Sequence, residues 1–441
     1  LPQSLTQALG GASTPLSYFF TYGPQSAVNL TSLSGDIVLN ARSNPSSQLW
    51  TVYPATLSAT ALQGNIVDDQ NALTLFPSPT GQLRLLAGGS VLAADQQQPK
   101  INVSDADPSL MPSAAAPTND ISAQSTVLRS LNFASSAQYN HATVPVHTGD
   151  TVPVTVVARD GSIGTSAGSS DFMVFYLPKS FQFIAGQDIR NAAVIGQNLA
   201  SGDISLIQAG RDVVFSTQRG STGVLSPNNL VEYRIGGPGQ LDIIAGRNVD
   251  LGTSVGVTSV GNTQNPALPA AGAGVLVMAG LVSPPDYAAF TQAYLADSDV
   301  YQAQLAQFLA QYPEATGGSP IDRFKSLPAA AQQRFLLQVL FSELQASGVA
   351  AADSANKDYS RGFAAINILF PGSLESANGG DLNMLLSRIA TLSGGDISLV
   401  VPTGLINAGA ADTSAISKDT SQLGIVVQGG GNIDAYLRGD F

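Results

Sequence analysis

At 441 residues the chain is roughly three times the ~150 that typify one compact domain, so it holds either several cores or one elongated core. With 44% hydrophobic residues it is no disordered polyelectrolyte, and with no cysteine it is neither a disulfide scaffold nor a thiolate metal site. Only 19 Lys and Arg stand against 31 Asp and Glu, a net charge of -12, which leaves no basic surface for phosphate and argues against a nucleic-acid partner.

From Leu1 to Phe20 no basic residue precedes an apolar segment, so no secretory leader is expected there. This start, like the stop at Asp440-Phe441, reads as a cut through a longer protein. Residues 1–93 then introduce a repeated pattern. An apolar residue is followed by Ala-Gly, two variable positions rich in Asp, Asn or Ser, and Val or Ile. The copies are Leu86-Ala87-Gly88-Gly89-Ser90-Val91, Ile184-Ala185-Gly186-Gln187-Asp188-Ile189, Gln208-Ala209-Gly210-Arg211-Asp212-Val213 and Ile244-Ala245-Gly246-Arg247-Asn248-Val249. Glycine is expected to supply the backbone freedom of a corner, and Asp or Asn to hydrogen-bond the turn. A second pattern launches the preceding strand with Gly and then Asp, Asn or Gln, as at Gly35-Asp36, Gly81-Gln82, Gly202-Asp203, Gly239-Gln240, Gly380-Asp381, Gly395-Asp396 and Gly431-Asn432. Short strands between evenly spaced corners, with few hairpin turns, predict a mainly β fold, a right-handed parallel β-helix (β-solenoid) with an α-helical insertion. A β-sandwich with Gly-rich turns is the competing architecture. Coils stack about 4.8 Å apart, so like charges in register would repel by roughly 0.9 kcal/mol even at water's dielectric. The polar, mostly uncharged outer face follows from this.

Residues 94–145 lose the pattern and read as an irregular Pro/Ala/Ser-rich excursion. Coils resume over 146–283. The uncharged segment from Leu251 to Pro285 culminates in Gly274 to Val282, but Pro266, Pro269, Pro284 and Pro285 bracket it, leaving less than the ~20 residues of a membrane-spanning helix. It reads as a buried strand and turn, and no transmembrane segment is expected. Over 284–372 the period changes to nearly 3.6: Tyr301, Leu305, Phe308 and Tyr312 mark one helix face, ended by Pro313 and Gly317-Gly318. Ser319-Pro320 forms a cap and first helical position, and Gln333 to Leu344 continues as helix to Gly348. Residues 373–441 return to coils that continue beyond the fragment.

Chemical motifs are sparse. His141 and His147 are the only histidines. Gly164-Thr165-Ser166-Ala167-Gly168 and Gly252-Thr253-Ser254-Val255-Gly256 match the hydrolase elbow, but both histidines precede both serines, the wrong chain order. The stretch Gly236 to Asp242 is similar to a calcium nonapeptide with its aspartate one residue late and no tandem copy. Asp105 and Asp107 could share a face of an extended segment as a cation or catalytic pair. No phosphate loop, zinc spacing or dinucleotide fingerprint occurs, so no cofactor, metal or catalytic residue is expected. Arg438, Gly439 and Asp440 spell a cell-attachment tripeptide, although Gly-Asp is also this chain's habitual strand launcher.

Several stretches resemble the filamentous-haemagglutinin-like exoproteins of two-partner secretion in Gram-negative bacteria. They include Thr21 to Pro24, Val156 to Ile163, Ala185 to Arg190, Ala245 to Gly252, Arg361 to Ile366 and Gly431 to Phe441. The resemblance implies a long secreted fibre at the bacterial cell surface. Its expected partners are an outer-membrane secretion protein and a host or bacterial surface receptor or glycan. The expected function is therefore non-enzymatic adhesion, with the insertion as the specific contact. The alternatives are a carbohydrate-active β-helix enzyme and the inert stalk of a contact-dependent toxin.

Overall fold

The structure is a computed structural model and describes residues 20–40, 51–69, 72–94, 98–117, 145–221, 224–262, 267–353, 357–375, 379–409 and 418–441. Within these residues each short strand pairs in parallel with the corresponding strand one coil later, giving three sheets of ten, nine and nine strands. One coil runs through Phe181–Ala185 in the first sheet, Ile189–Arg190 in the second and Ala192–Gln197 in the third. The chain then returns to the first sheet at Ile204–Ala209, with Phe183 over Ile207 and Ala185 over Ala209. This is a parallel β-helix.

Alternation fills the interior. Phe181, Phe183 and Ala185 are buried while Gln182 and Ile184 between them face outward. Pairing then stacks like on like. Ala61, Ala87, Ala158, Ala185, Ala209 and Ala245 form one column. Ile37, Ile66, Val91, Ile163, Ile189, Val213, Val249, Leu382 and Ile406 form another. Each fully buried aliphatic side chain contributes about 1.5–3 kcal/mol.

The repeated Ala-Gly corner lies between the first and second sheets, and its glycines work differently from the expectation. Gly88, Gly186, Gly210 and Gly246 have no left-handed φ. A Cβ on them would stand 2.1, 2.1, 2.3 and 2.2 Å from carbonyl oxygens of Leu62, Arg159, Gly186 and Gly210 one level down. They are glycine because of the close approach between coils.

The polar residue after the corner also acts between levels rather than within its own turn. The side-chain oxygen of Asp36 accepts the Asn65 N–H (2.7 Å), and Asn65 accepts that of Ser90 (2.8 Å). Ser90 accepts from Ser162, Ser162 from Asp188, and Asp188 from Asp212. Asp212 accepts from Asn248, Asn248 from Asp381, and Asp381 from Leu405. A ladder of side-chain acceptors thus climbs the rod. Arginines offset the stacked carboxylates: Arg190 and Arg211 pair with Asp188, and Arg247 with Asp212.

One segment departs from expectation. Lys100–Val103, inside the stretch read as irregular, is a strand of the third sheet paired with Ala72–Leu75 and Met173–Leu177. Its four residues are too few to show alternation among Pro and Asp. Residues 118–144, with His141, lie outside the described residues.

Between the first-sheet strand Gly274–Met278 and the second-sheet strand Leu382–Asn383 the chain makes a helical excursion. It comprises α1 (Tyr287–Thr291, extended by a π turn to Ala296), α2 (Gln302–Leu309), α3 (Pro320–Lys325), α4 (Ala329–Asp353) and α5 (Ser360–Leu369). The expected Ser319 cap is present as a full capping box with Asp322, with Pro320 at the first helical position. α2 is shorter than its periodicity suggested, with Tyr312 in the turn beyond it, and α4 runs through Gly348. There the Gly362 N–H of α5 donates to Ser347 Oγ at 3.0 Å, and this packing outweighs glycine's ~1 kcal/mol helix penalty. By length and composition α4 is apolar enough to cross a membrane, and 44% of its most apolar window is buried here. The excursion leaves and re-enters beside itself: a Cβ on Gly380 would stand 2.3 Å from Gly280 Cα, so the coils above and below stay stacked.

Candidate functional site

Outward positions of the first sheet are polar or mixed over most levels, as solvent requires. Over several successive coils they turn apolar, with Ile204 and Leu206, then Ile244, then Leu276 and Met278, then Val400. The helices dock there. Leu276, Met278 and Val400 join one buried cluster with Phe290, Leu336, Ile366 and Leu369. Inside the excursion, Glu343 accepts the Tyr301 hydroxyl at 2.5 Å and both arms of Arg361 at 2.6 and 2.7 Å. Burial opposes the Glu343 charge, but Arg361 and Tyr301 outweigh it and hold the carboxyl below its usual range.

At the edge of this contact the helices do not close down on the sheet. A cleft of about 780 Å³ remains between the levels carrying Gln182, Gln208 and Asp242 and the excursion's Pro284, Tyr287, Lys325 and Gln333. Its walls are apolar at Ile204, Leu206, Ile244 and Leu336. Asp242 is one of its lining residues and is only 4% exposed. Asp242 Oδ2 accepts from Gln333 Nε2 at 2.7 Å, and the same amide donates to the Tyr287 hydroxyl at 3.0 Å. Asp242 Oδ1 and Gln333 Oε1 are buried without a hydrogen-bond partner. Burial pushes the Asp242 carboxyl up to about 7, against the pull of the Gln333 and Gln240 amides. On the other side of α4 a second cavity of about 340 Å³ is lined by Arg334, Gln338, Asp396, Ser398 and Asp434.

Two further charged groups are drawn in from solvent, one fully and one in part. Lys179, fully buried, donates to Asp150 Oδ2 at 2.5 Å and to the Gly81 carbonyl at 3.1 Å, and His147 Nδ1 stands 3.5 Å from the same carboxylate oxygen. Burial opposes the Asp150 charge, yet the His147 and Lys179 contacts hold its carboxyl far below the usual range. Burial lowers the Lys179 ammonium despite its partner. This cluster pins residues 147–150, just ahead of the strand Val154–Ala158, to the coils. Lys418 donates to the carbonyls of Ser254 and Leu386, both at 2.5 Å, and burial, with Arg388 adding to it, brings its ammonium down to about 8.

The residues singled out from sequence scatter. Asp105 is buried, whereas Asp107 caps the 3-10 turn Pro108–Leu110 by accepting the Ser109 N–H at 2.8 Å, so the two do not form a paired-carboxylate face. Ser254 donates to its own turn at Leu251 O, and His147 belongs to the Asp150 cluster, so the hydrolase-elbow matches bring no serine to a histidine among the described residues. Asp242 of the nonapeptide-like stretch faces the cleft. Arg438, Gly439 and Asp440 are exposed, with their backbone held to the coil below: Gly439 N–H donates to Gly404 O, and Asp440 O accepts from Ile406. The Arg438 guanidinium donates to Leu374 O at 3.1 Å. Among the described residues no group of three or more His, Asp or Glu is placed to hold a metal ion.

The cleft was missed from sequence. Its only local signal is the run of apolar residues at outward positions of strands that elsewhere carry Ser, Thr and Gln. No family model, curated protein or solved structure matches this chain.

Proposed function

We propose that the chain is a non-enzymatic, adhesive segment of a large exported protein of the filamentous-haemagglutinin-like kind, carried to the bacterial surface by an outer-membrane secretion partner. The observation that carries this reading is the architecture of the described residues: a stack of coils, held level to level, bearing a helical excursion that opens a cleft on the rod's flank. The ten levels of the first sheet among the described residues separate their first and last coils by roughly 43 Å at about 4.8 Å per level, a rigid means of projecting a contact. Repeated weak contacts along a longer fibre would gain avidity through effective concentration. Absence of cysteine suits passage through an oxidising periplasm as an unfolded thread. The contacted surface is a receptor or glycan on a host or bacterial cell.

The test is attachment of beads coated with the purified chain to epithelial and bacterial cells. A companion chain joins Leu281 to Gly379 directly and replaces Leu276, Met278 and Val400 by Thr, because the excursion's removal would otherwise leave an apolar face exposed. Attachment by the intact chain and its loss in the companion are expected. Beads that attach to no cell would overturn the adhesive reading, and equal attachment by both chains would move the contact off the excursion.

A further inference from the structure

We propose that the cleft between the first sheet and the helical excursion binds an aliphatic primary ammonium group, with its apolar chain along Ile204, Leu206, Ile244 and Leu336 and its charge on Asp242. The site stands on the cleft's own residues and does not rest on the adhesive reading. At about 780 Å³ the cleft falls within the range of small-ligand sites, and apolar walls ending in a few convergent polar atoms are their usual make-up.

The polar end decides the ligand. A buried carboxylate is ordinarily paired, because removing a lone charge from water is costly. Among the described residues the Gln333 amide is the donor seated on Asp242, and no cation pairs with it. Two buried oxygens, Asp242 Oδ1 and Gln333 Oε1, have no donor. An ammonium supplies three donors, no acceptor and the missing positive charge. An alcohol would leave the charge unpaired, a carboxylate would be repelled, and a divalent cation would find a single carboxylate. Both oxygens are closed to bulk water, so the entering group reaches them as the Gln333 amide rotates off Asp242.

The groups facing Asp242 are few. Tyr287 approaches from α1, Gln333 from α4 and Gln240 from its own strand, while Lys325 lines the cleft from the end of α3. Its neighbours across the sheet, Leu206 and Leu276, are uncharged. Ionisation of Asp242 therefore governs binding. With its carboxyl pushed up to about 7, affinity for an alkylamine, which stays protonated over this range, falls about tenfold per pH unit below that point and levels off above it.

The experiment titrates the full chain with n-hexylamine, n-hexanol and hexanoate, which share one alkyl body, by saturation-transfer NMR at pH 8 and at pH 5.5. Hexylamine is expected to bind at least tenfold more tightly than hexanol at pH 8, with hexanoate weakest, and to lose at least tenfold at pH 5.5 while hexanol changes little. The preference should vanish in Asp242→Asn and persist in Asp160→Asn, an exposed carboxylate that does not line the cleft. Nα-acetyl-lysine methylamide, titrated alongside, tells a peptide side chain from a free amine by whether it binds more tightly or more weakly than hexylamine. Equal binding of hexylamine and hexanol, binding of none of the three, or an amine preference that survives in Asp242→Asn would overturn the proposal. So would an amine affinity in the unaltered chain that is the same at pH 8 and pH 5.5, a comparison that needs no variant to fold.

Discussion

A corner glycine and the polar residue that follows it do the joining between coils. Gly210 has no room for a methyl group, since Gly186 O stands 2.3 Å from where its Cβ would lie. Gly210→Ala is therefore expected to destabilise by about 1–3 kcal/mol through forced separation of two levels. Gly318→Ala, at a position with nothing within 4 Å, should be near neutral, and the difference is read by thermal unfolding. Asp212 holds the Asn248 N–H at 3.0 Å and the Arg247 guanidinium, and these outweigh burial to lower its carboxyl below the usual range. A lowered folded value means that its contribution is present above the ordinary carboxylate range and is lost as pH falls through the folded value. Asp212→Ala should cost about 1–3 kcal/mol at neutral pH by leaving a backbone donor unpaired, and Asp212→Asn, which keeps an acceptor, should cost less. Denaturant titrations at pH 7 and pH 3 check both, with the gap between Asp212→Ala and the parent narrowing in acid. The repeat was legible because the same bend recurs at every level. The direction of the ladder was not, because donor and acceptor lie far apart in sequence, 24 residues for Asp188 and Asp212 and 133 for Asn248 and Asp381.

Among the elements, the excursion is expected to lose stability before the coils do. Its helices were legible from their period and from the Ser319-Pro320 start, since both signals are local. Their docking was not, because Leu276, Met278 and Val400 occupy outward positions whose burial depends on helices more than a few residues away in the chain. Asp242 is the sharpest case: it stands where Gln or Ser would face water on other levels, and only the arrival of Gln333 and Tyr287 buries it. The Glu343 network ties α4, α5 and the residue preceding α2 together. Arg361→Ala leaves Glu343, 4% exposed, without its charged partner. Because Arg361 is itself half-exposed, the expected cost is about 1–3 kcal/mol, below that of a fully buried pair. Limited proteolysis should then cut within 287–369 while coil fragments resist. Cleavage at equal rates throughout would show that excursion and coils unfold as one unit.

The whole molecule should respond to pH through two opposed sets of carboxylates. Asp150 and Asp212, held low by their partners, stabilise above the usual carboxylate range and lose that contribution in acid. Asp242, pushed up to about 7 by burial, has the opposite sign: its contribution is fully present below its ordinary value of 3.8 and is lost as pH rises through about 7. The chain is expected to be most stable in mildly acidic solution. Asp242→Asn should match the parent near pH 4 and exceed its melting temperature increasingly up to pH 7, with a constant gap above. A gap that stays flat from pH 4 to pH 8 would show that the carboxyl is not taken out of water by the docked helices.

The acceptor ladder ends at Leu405, whose side chain has no oxygen to offer the next level. There the corner of the last described coil is tied to the level below by main-chain bonds, Gly439 to Gly404 and Ile406 to Asp440, while that coil's side-chain bonds lie elsewhere: Asp396 Oδ1 accepts the Asn432 N–H at 2.8 Å, and the Arg438 guanidinium reaches Leu374 O. Under tension along the rod each lower corner of the ladder must break a side-chain clasp as well as its strand pairing, and this corner need not. A pulled molecule should therefore fray first at residues 439–441, before the Asn432–Asp396 clasp lets the strand above it go, leaving the clasped layers and the cleft between them intact while the load is shed.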